Sequence, residues 1–176
     1  MGIFMLQSLT NGGVFTRIPD LQAGLGLSEG ALGLALIAQP VGALTAQIFA
    51  SRFVERFGTR PILMMGIPVL ATSGLVMALA PHFSILALGF FLFGVSFALT
   101  NVTMNVEADR VEAGTGTRVM NRCHGLWSIG FLFASLLGTL ARGVGMPTFW
   151  HLGLVIPIAV LGVLVLVWPM QNFPAR

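Results

Sequence analysis

The chain has 176 residues, 9 of them basic and 6 acidic, so about 9% carry a formal charge while 56% are hydrophobic and the mean hydropathy is +0.91. Soluble domains are about 25% charged, so this composition excludes most water-soluble enzymes and any DNA-binding module. The pI near 11.1 reflects a net +3 on an almost uncharged chain, not a basic patch, and the one cysteine, Cys123, excludes an internal disulfide framework or a Cys-based metal cluster.

Crossing about 30 Å of hydrocarbon takes about 20 helical residues at 1.5 Å each. Uncharged runs of roughly that length follow one another at 1–16, 30–51, 61–81, 84–106, 126–141 and 143–173. None shows the two-residue alternation of a membrane barrel. The spacing predicts six transmembrane helices at about 2–16, 30–50, 61–80, 85–106, 120–141 and 148–168, an all-α membrane fold. The first run is short. It lacks a charged leader and an A-x-A site, which argues against a signal peptide, and Leu6 stands where a myristoylation signal has Ser or Thr. Either residues precede it or its helix runs on to Ile18. Ser28 and Ser84 are expected to cap the second and fourth helices, with Pro61 in the first turn of the third. Pro40, Pro68 and Pro157 interrupt helices and free the carbonyls of Leu36, Met64 and Gly153.

Arginine placement sets orientation. With both termini cytoplasmic, the inside receives Arg52, Arg56, Arg60, Arg110, Arg118, Arg122 and Arg176, and the outside keeps only Arg17 and Arg142. The expected location is a bacterial inner (plasma) membrane, crossed several times.

The loop after the second span reads Ser51-Arg52-Phe53-Val54-Glu55-Arg56-Phe57-Gly58-Thr59-Arg60-Pro61. It resembles the G-x-x-x-D-R-x-G-R-R signature of the major facilitator superfamily: Arg56, Gly58 and Arg60 match, while Ser51, Glu55 and Thr59 replace the first Gly, the Asp and one Arg. The resemblance implies that Glu55, Arg56, Gly58 and Arg60 form a cytoplasmic latch between two transporter halves. Two further stretches are similar to a bacterial branch related to fucose-type sugar permeases: Arg17-Ile18-Pro19-Asp20-Leu21-Gln22 with Leu27-Ser28-Glu29, and Asn105-Val106-Glu107 with Val111-Glu112 and His124 to Gly130. The resemblance covers the chain but only six of the family's usual twelve helices. It implies two inverted three-helix repeats, dividing at Pro81, within an N-terminal half (1–176) whose C-terminal half is absent. A truncated or split product of this kind is expected to be inactive until joined by its missing half or a second half-transporter.

Polar groups inside a membrane are costly, so each is a functional candidate. Gln7 and Asn11 share a face of the first helix, as do Asn101 and Asn105 of the fourth and His124 and Ser128 of the fifth, which flank Trp127. In the family, helices one and four line the central cavity, so Gln7, Asn11, Asn101, Asn105, His124 and Trp127 are the candidate contacts for a small polar, sugar-like solute. Amides supply both donors and acceptors; the competing reading is that they bridge helices inside the bundle. Glu107 and His124 lie at the cytoplasmic ends of consecutive helices, a candidate proton or gating pair or else an ion pair anchoring the loop. Sugar–proton relatives keep a carboxylate deeper in helix four, where this chain has Asn101, and no Asp or Glu is deep in any span. Small-residue stripes at Ala38, Gly42, Ala46 and Ala50, and at Gly130, Ala134 and Gly138, allow close helix approach, either to a second half or within the bundle.

Gly114-Thr115-Gly116-Thr117 is not a phosphate loop, since no Lys follows and no strand precedes. His82 and His151 are expected at the interface. No triad or metal-ligand spacing is visible, so neither an enzyme nor a cofactor is expected, and no nucleic-acid partner. The glycine–proline motif of drug–proton antiporters is absent from the fifth helix, which favours uptake over export. The alternative to a transporter half is a membrane-embedded interaction or sensory protein that keeps the fold without transport.

Overall fold

A computed structural model describes residues 1–172; Phe173, which ends the last uncharged run, and Arg176, used in the charge count, lie outside the described residues. The described residues form seven helices: α1 (Gly2–Phe15), α2 (Ile18–Leu25), α3 (Glu29–Phe57), α4 (Thr59–Ala78), α5 (Phe83–Thr115), α6 (Met120–Gly143) and α7 (Thr148–Leu166). Five of them, α3 to α7, are long and apolar enough to cross a membrane.

Helix ends differ from the predicted ones for identifiable reasons. The first helix does not continue to Ile18. Pro19 sits at the start of α2, and in a continuous helix its ring would clash with the carbonyl of Phe15, where α1 stops. The 14 residues of α1 reach only about 21 Å. The second and fourth helices run past their predicted ends at 50 and 106 to Phe57 and Thr115, so Arg52, Arg56 and Arg110 are helical rather than looped. Each stops only at a glycine with positive φ, Gly58 (φ +77) and Gly116 (φ +66). Ser28 caps α3 as expected, its Oγ accepting from the Ala31 N–H at 3.2 Å. Ser84 does not cap α5, because His82 holds that position and its side chain makes no capping bond.

The packing is interleaved. α5 lies against α3 and α4, α1 lies against α6 and α7, and α4 meets α7. Exchanging α1 with α5, α3 with α6 and α4 with α7 maps these contacts onto one another, the pattern of two inverted three-helix repeats. The small-residue stripes form the two tightest seams. A Cβ added at Gly42 would collide with the Phe91 carbonyl, and one at Gly94 with the Gln39 carbonyl. In the other seam, a Cβ at Gly12 would lie 2.7 Å from the Phe131 carbonyl oxygen, and one at Gly130 would strike Ser8 Oγ. Both stripes are thus consumed inside the bundle and do not await a second half.

Two apolar clusters occupy the ends of the bundle, one around Phe4, Leu63, Ile67 and Met104, the other around Val14, Leu70, Phe90 and Phe93. Along α1 and α5 a buried polar stratum separates them: Gln7, Ser8, Thr10 and Asn11 on one helix, Ser96, Thr100 and Thr103 on the other.

Candidate functional site

Gln7 is the hub of that stratum. Its Nε2 donates to Thr100 Oγ1 at 2.7 Å and to the Phe97 carbonyl at 3.2 Å, and its Oε1 accepts from the Trp127 indole N–H at 3.1 Å. One side chain therefore ties α1 to α5 and α6. It is wholly enclosed, at 0% exposure, and Asn11 is buried at 6%. A residue lining a cavity that opens on one side of the bundle should be exposed here, so Gln7 and Asn11 stand behind the wall in this conformation and not on it.

The groups that do reach the surface are Asn101, Asn105 and Trp127, partly, and His124, fully. Asn105 Nδ2 donates to Asn101 Oδ1 at 3.1 Å, a rung along α5 that leaves the Asn101 amide nitrogen without a partner among the described residues. The buried Oδ1 atoms of Asn105 and Asn11 are likewise unpartnered. Trp127 stacks on Phe131 (centroids 5.4 Å, planes 10° apart), and His124 meets Phe4 edge-on at 5.5 Å. These side chains border an open wall, not an enclosed pocket. The 250 Å³ cavity at the end where α1 begins is lined by Phe4, Glu107, Val119 and Cys123 and touches none of the amides.

Helical periodicity identifies the rest of the wall. On α6, His124, Ser128, Ser135 and Thr139 share a face, while Ile129, Leu132, Leu136 and Leu140 form an exposed apolar face beside it. On α3, Gln39 faces away from the exposed Leu34, Ile37, Val41, Leu44 and Ile48, and Gln47 lies two turns on, at the edge of that apolar face. Gln39 and Gln47 went unnoticed in the sequence although their signal, amides within an apolar run, was the one used elsewhere. Thr100 carries no such signal, because a membrane threonine satisfies itself locally; here it donates to the Ser96 carbonyl at 2.7 Å.

Glu107 and His124 do not meet. Glu107 Oε1 accepts from Thr59 Oγ1 and lies 3.4 Å from Arg110 Nη1, tying the start of α4 to α5. Thr59, which departs from the family signature, is the partner that holds Glu107. The latch sequence is largely unpaired. Glu55 and Arg56 are exposed and make no ion pair among the described residues. The Arg60 guanidinium lies 4.8 Å from the Trp168 ring centroid, and its backbone N–H donates to Asn172 Oδ1 at 3.2 Å. A Cβ at Gly58 would collide with that same Asn172 side chain.

The opposite end, to which the charge count gave Arg17 and Arg142, has a feature that counting does not address. Arg17 is 1% exposed. Its Nη1 donates to Asp20 Oδ2 at 2.9 Å and its Nη2 to the Met146 carbonyl, while Asp20 Oδ1 accepts from Arg142 Nε at 2.9 Å. The cluster clamps the α1–α2 corner to the α6–α7 turn. His151, expected at the interface, is half-buried beside it, 3.7 Å from a Cβ placed at Gly13. No group of three metal-ligating side chains occurs among the described residues.

The chain is similar to known membrane transporters along nearly its whole length. It is 28% identical to the uncharacterized transporter y4wD of Sinorhizobium fredii, covering 84% of this chain and 39% of that protein. It is 29% identical to multidrug resistance protein 2 of Bacillus subtilis (85% and 38%) and 24% identical to the purine ribonucleoside efflux pump NepI of Salmonella typhimurium (86% and 37%). The chain spans less than two fifths of the length of these relatives. A family model described as Major Facilitator Superfamily matches residues 1–175, and with five apolar spans arranged as interleaved repeats this multi-pass membrane chain belongs to that superfamily.

Proposed function

We propose that this bundle is one wall of a secondary transporter that moves a small polar, sugar-like solute by alternating access. The observation that carries the reading is a set of polar side chains on α5 and α6: Asn101, Asn105, Trp127, His124 and Ser128 are accessible within or beside apolar spans, where polar side chains are otherwise expensive. Asn101 and Asn105 supply donors and acceptors to the solute, Trp127 and His124 supply an adjoining surface, and Gln7 and Asn11 hold these groups from behind. A single wall has no opposing gate, so transport requires a second six-helix bundle apposed to it. Glu55, Arg56, Gly58 and Arg60 latch the two bundles on the cytoplasmic side, where both termini lie. Thermal-shift screening of the purified protein against neutral sugars and nucleosides, with Asn101→Ala and Asn105→Ala, tests the site. A stabilising solute whose effect shrinks in both variants supports the assignment, and an unchanged response in both overturns it. Solute movement by the 176-residue chain as a monomer overturns the need for a second bundle.

Export is the second reading of direction. It is favoured by the relative named as an efflux pump for purine ribonucleosides, which are also hydroxyl-rich and neutral. Counterflow from loaded vesicles of known orientation distinguishes the two.

A further inference from the structure

The last two turns of α3 carry a patch that the transport reading does not require in full. Phe49, Arg52, Phe53, Arg56 and Phe57 recur at three- and four-residue spacing on one helix face and line a groove of about 200 Å³. Phe53 and Phe57 stack with centroids 5.7 Å apart, and the Arg56 guanidinium lies 5.5 Å from the Phe57 centroid. All three phenyl rings are between 43% and 47% exposed. Arg52 and Arg56 make no ion pair among the described residues, and the one carboxylate on these turns, Glu55, is exposed and likewise unpaired.

Depth explains why both chemistries occur together. The uncharged stretch 30–51 is 22 residues long and spans about 33 Å, the thickness of the hydrocarbon layer. Arg52 and Arg56 therefore emerge at the interface, where their long side chains reach the phosphates, while Phe49 stays level with the first carbons of the acyl chains and Phe53 lies at the boundary.

We infer that, when the proposed latch is open and Arg56 is free of it, this groove binds an anionic phospholipid, with the phosphate between the Arg52 and Arg56 guanidiniums and one acyl chain along Phe49 and Phe53. Two unpaired cations four residues apart supply the charge complement, and the phenyl rings select a lipid over a free anion.

Native mass spectrometry of the full chain in dodecyl maltoside, titrated with dioleoyl phosphatidylglycerol, dioleoyl phosphatidylcholine or inorganic phosphate, tests the assignment. Phosphatidylglycerol is expected to be retained, phosphatidylcholine weakly retained, and inorganic phosphate not to compete. The Arg52→Gln/Arg56→Gln double variant is expected to bind phosphatidylglycerol about 30-fold more weakly, the effect of two interfacial cations. Arg118→Gln/Arg122→Gln removes the same charge elsewhere at this end and is expected to change binding less than threefold. Equal losses in the two double variants, or none in the first, overturn the inference, as does competition by inorganic phosphate at matched concentration. A photoreactive phenylalanine derivative at position 53 provides a measurement that leaves both arginines intact: crosslinking in native membranes is expected to add the mass of a lipid, and capture of a polypeptide, whether a second bundle or a second copy, overturns it.

Discussion

Gln7→Leu tests whether the amide hub organises the wall. Leucine fills nearly the same volume, so the main change is electrostatic. Three hydrogen bonds vanish, at 2.7, 3.2 and 3.1 Å. Interhelical bonds in membrane proteins average about 0.6 kcal/mol each, so the set contributes about 2 kcal/mol. The losses are unequal. Thr100 keeps its single hydroxyl proton on the Ser96 carbonyl at 2.7 Å, with the Phe97 carbonyl at 3.0 Å as the alternative acceptor. The partly exposed Trp127 indole N–H has no other partner among the described residues, and leaving it without Gln7 Oε1 adds up to about 1 kcal/mol. The expected destabilisation is about 3 kcal/mol, read from unfolding in mixed micelles followed by circular dichroism. Trp127→Phe removes the indole donor and strands Gln7 Oε1 instead. If the two side chains act through each other, the double variant costs about 1 to 2 kcal/mol less than the sum of the singles. Additivity within about 0.4 kcal/mol would mean the two residues are energetically independent and would refute the hub.

Other consequences follow from the packing. Gly94→Ala forces α3 and α5 apart, because its Cβ would collide with the Gln39 carbonyl, and is expected to lower the melting temperature sharply; Gly153→Ala, whose nearest neighbour would be Leu75 Cδ1 at 3.7 Å, is expected to change it little. Asp20→Asn leaves the buried Arg17 guanidinium without its carboxylate and should cost about 3 to 5 kcal/mol, more than Arg17→Met, which removes the buried charge itself; the reverse order in a denaturant titration would refute the clamp. Thr59→Val deletes the hydroxyl bonded to Glu107 and is expected to cost about 2 kcal/mol, with faster amide exchange around Gly58 as its local signature.

The spans were legible because the bilayer imposes a length on apolar runs, and composition reports that directly. Their ends were not, because a helix need not stop where the hydrocarbon does. Arg52 to Phe57 and Glu107 to Thr115 are polar enough to read as loops, yet nothing in them breaks a helix, and the chain stays helical until Gly58 and Gly116. Polar positions were legible in the same limited way. Spacing established that Gln7 and Asn11 share a face, but not that the face looks into α5 and α6, since a period gives relative direction and only packing gives absolute direction. The burial of Arg17 was not legible for a related reason. A charge beyond a short span reads as an outer loop residue, whereas its guanidinium turns inward to a carbonyl 129 residues away, a contact no local pattern encodes.

The interleaving bears on how such a bundle moves. If the two three-helix repeats lay side by side, a solute site between them could open by separating them. Here α1 of the first repeat is held between α6 and α7 of the second, and α5 of the second between α3 and α4 of the first. Separating the repeats would break both seams together, and at those seams backbone carbonyls already occupy the space a Cβ would need, next to Gly42 and Gly94 in one and Gly12 in the other. Close-packed contacts of this kind do not deform gradually. The Gln7 hub and the Arg17–Asp20–Arg142 clamp add polar ties across the same division. The bundle is therefore stiff in the direction an internal gate would have to open, while its accessible polar face carries no comparable ties. On the proposed function, alternation takes place at that face, against another body, and the amides of α5 act at the boundary between two rigid walls.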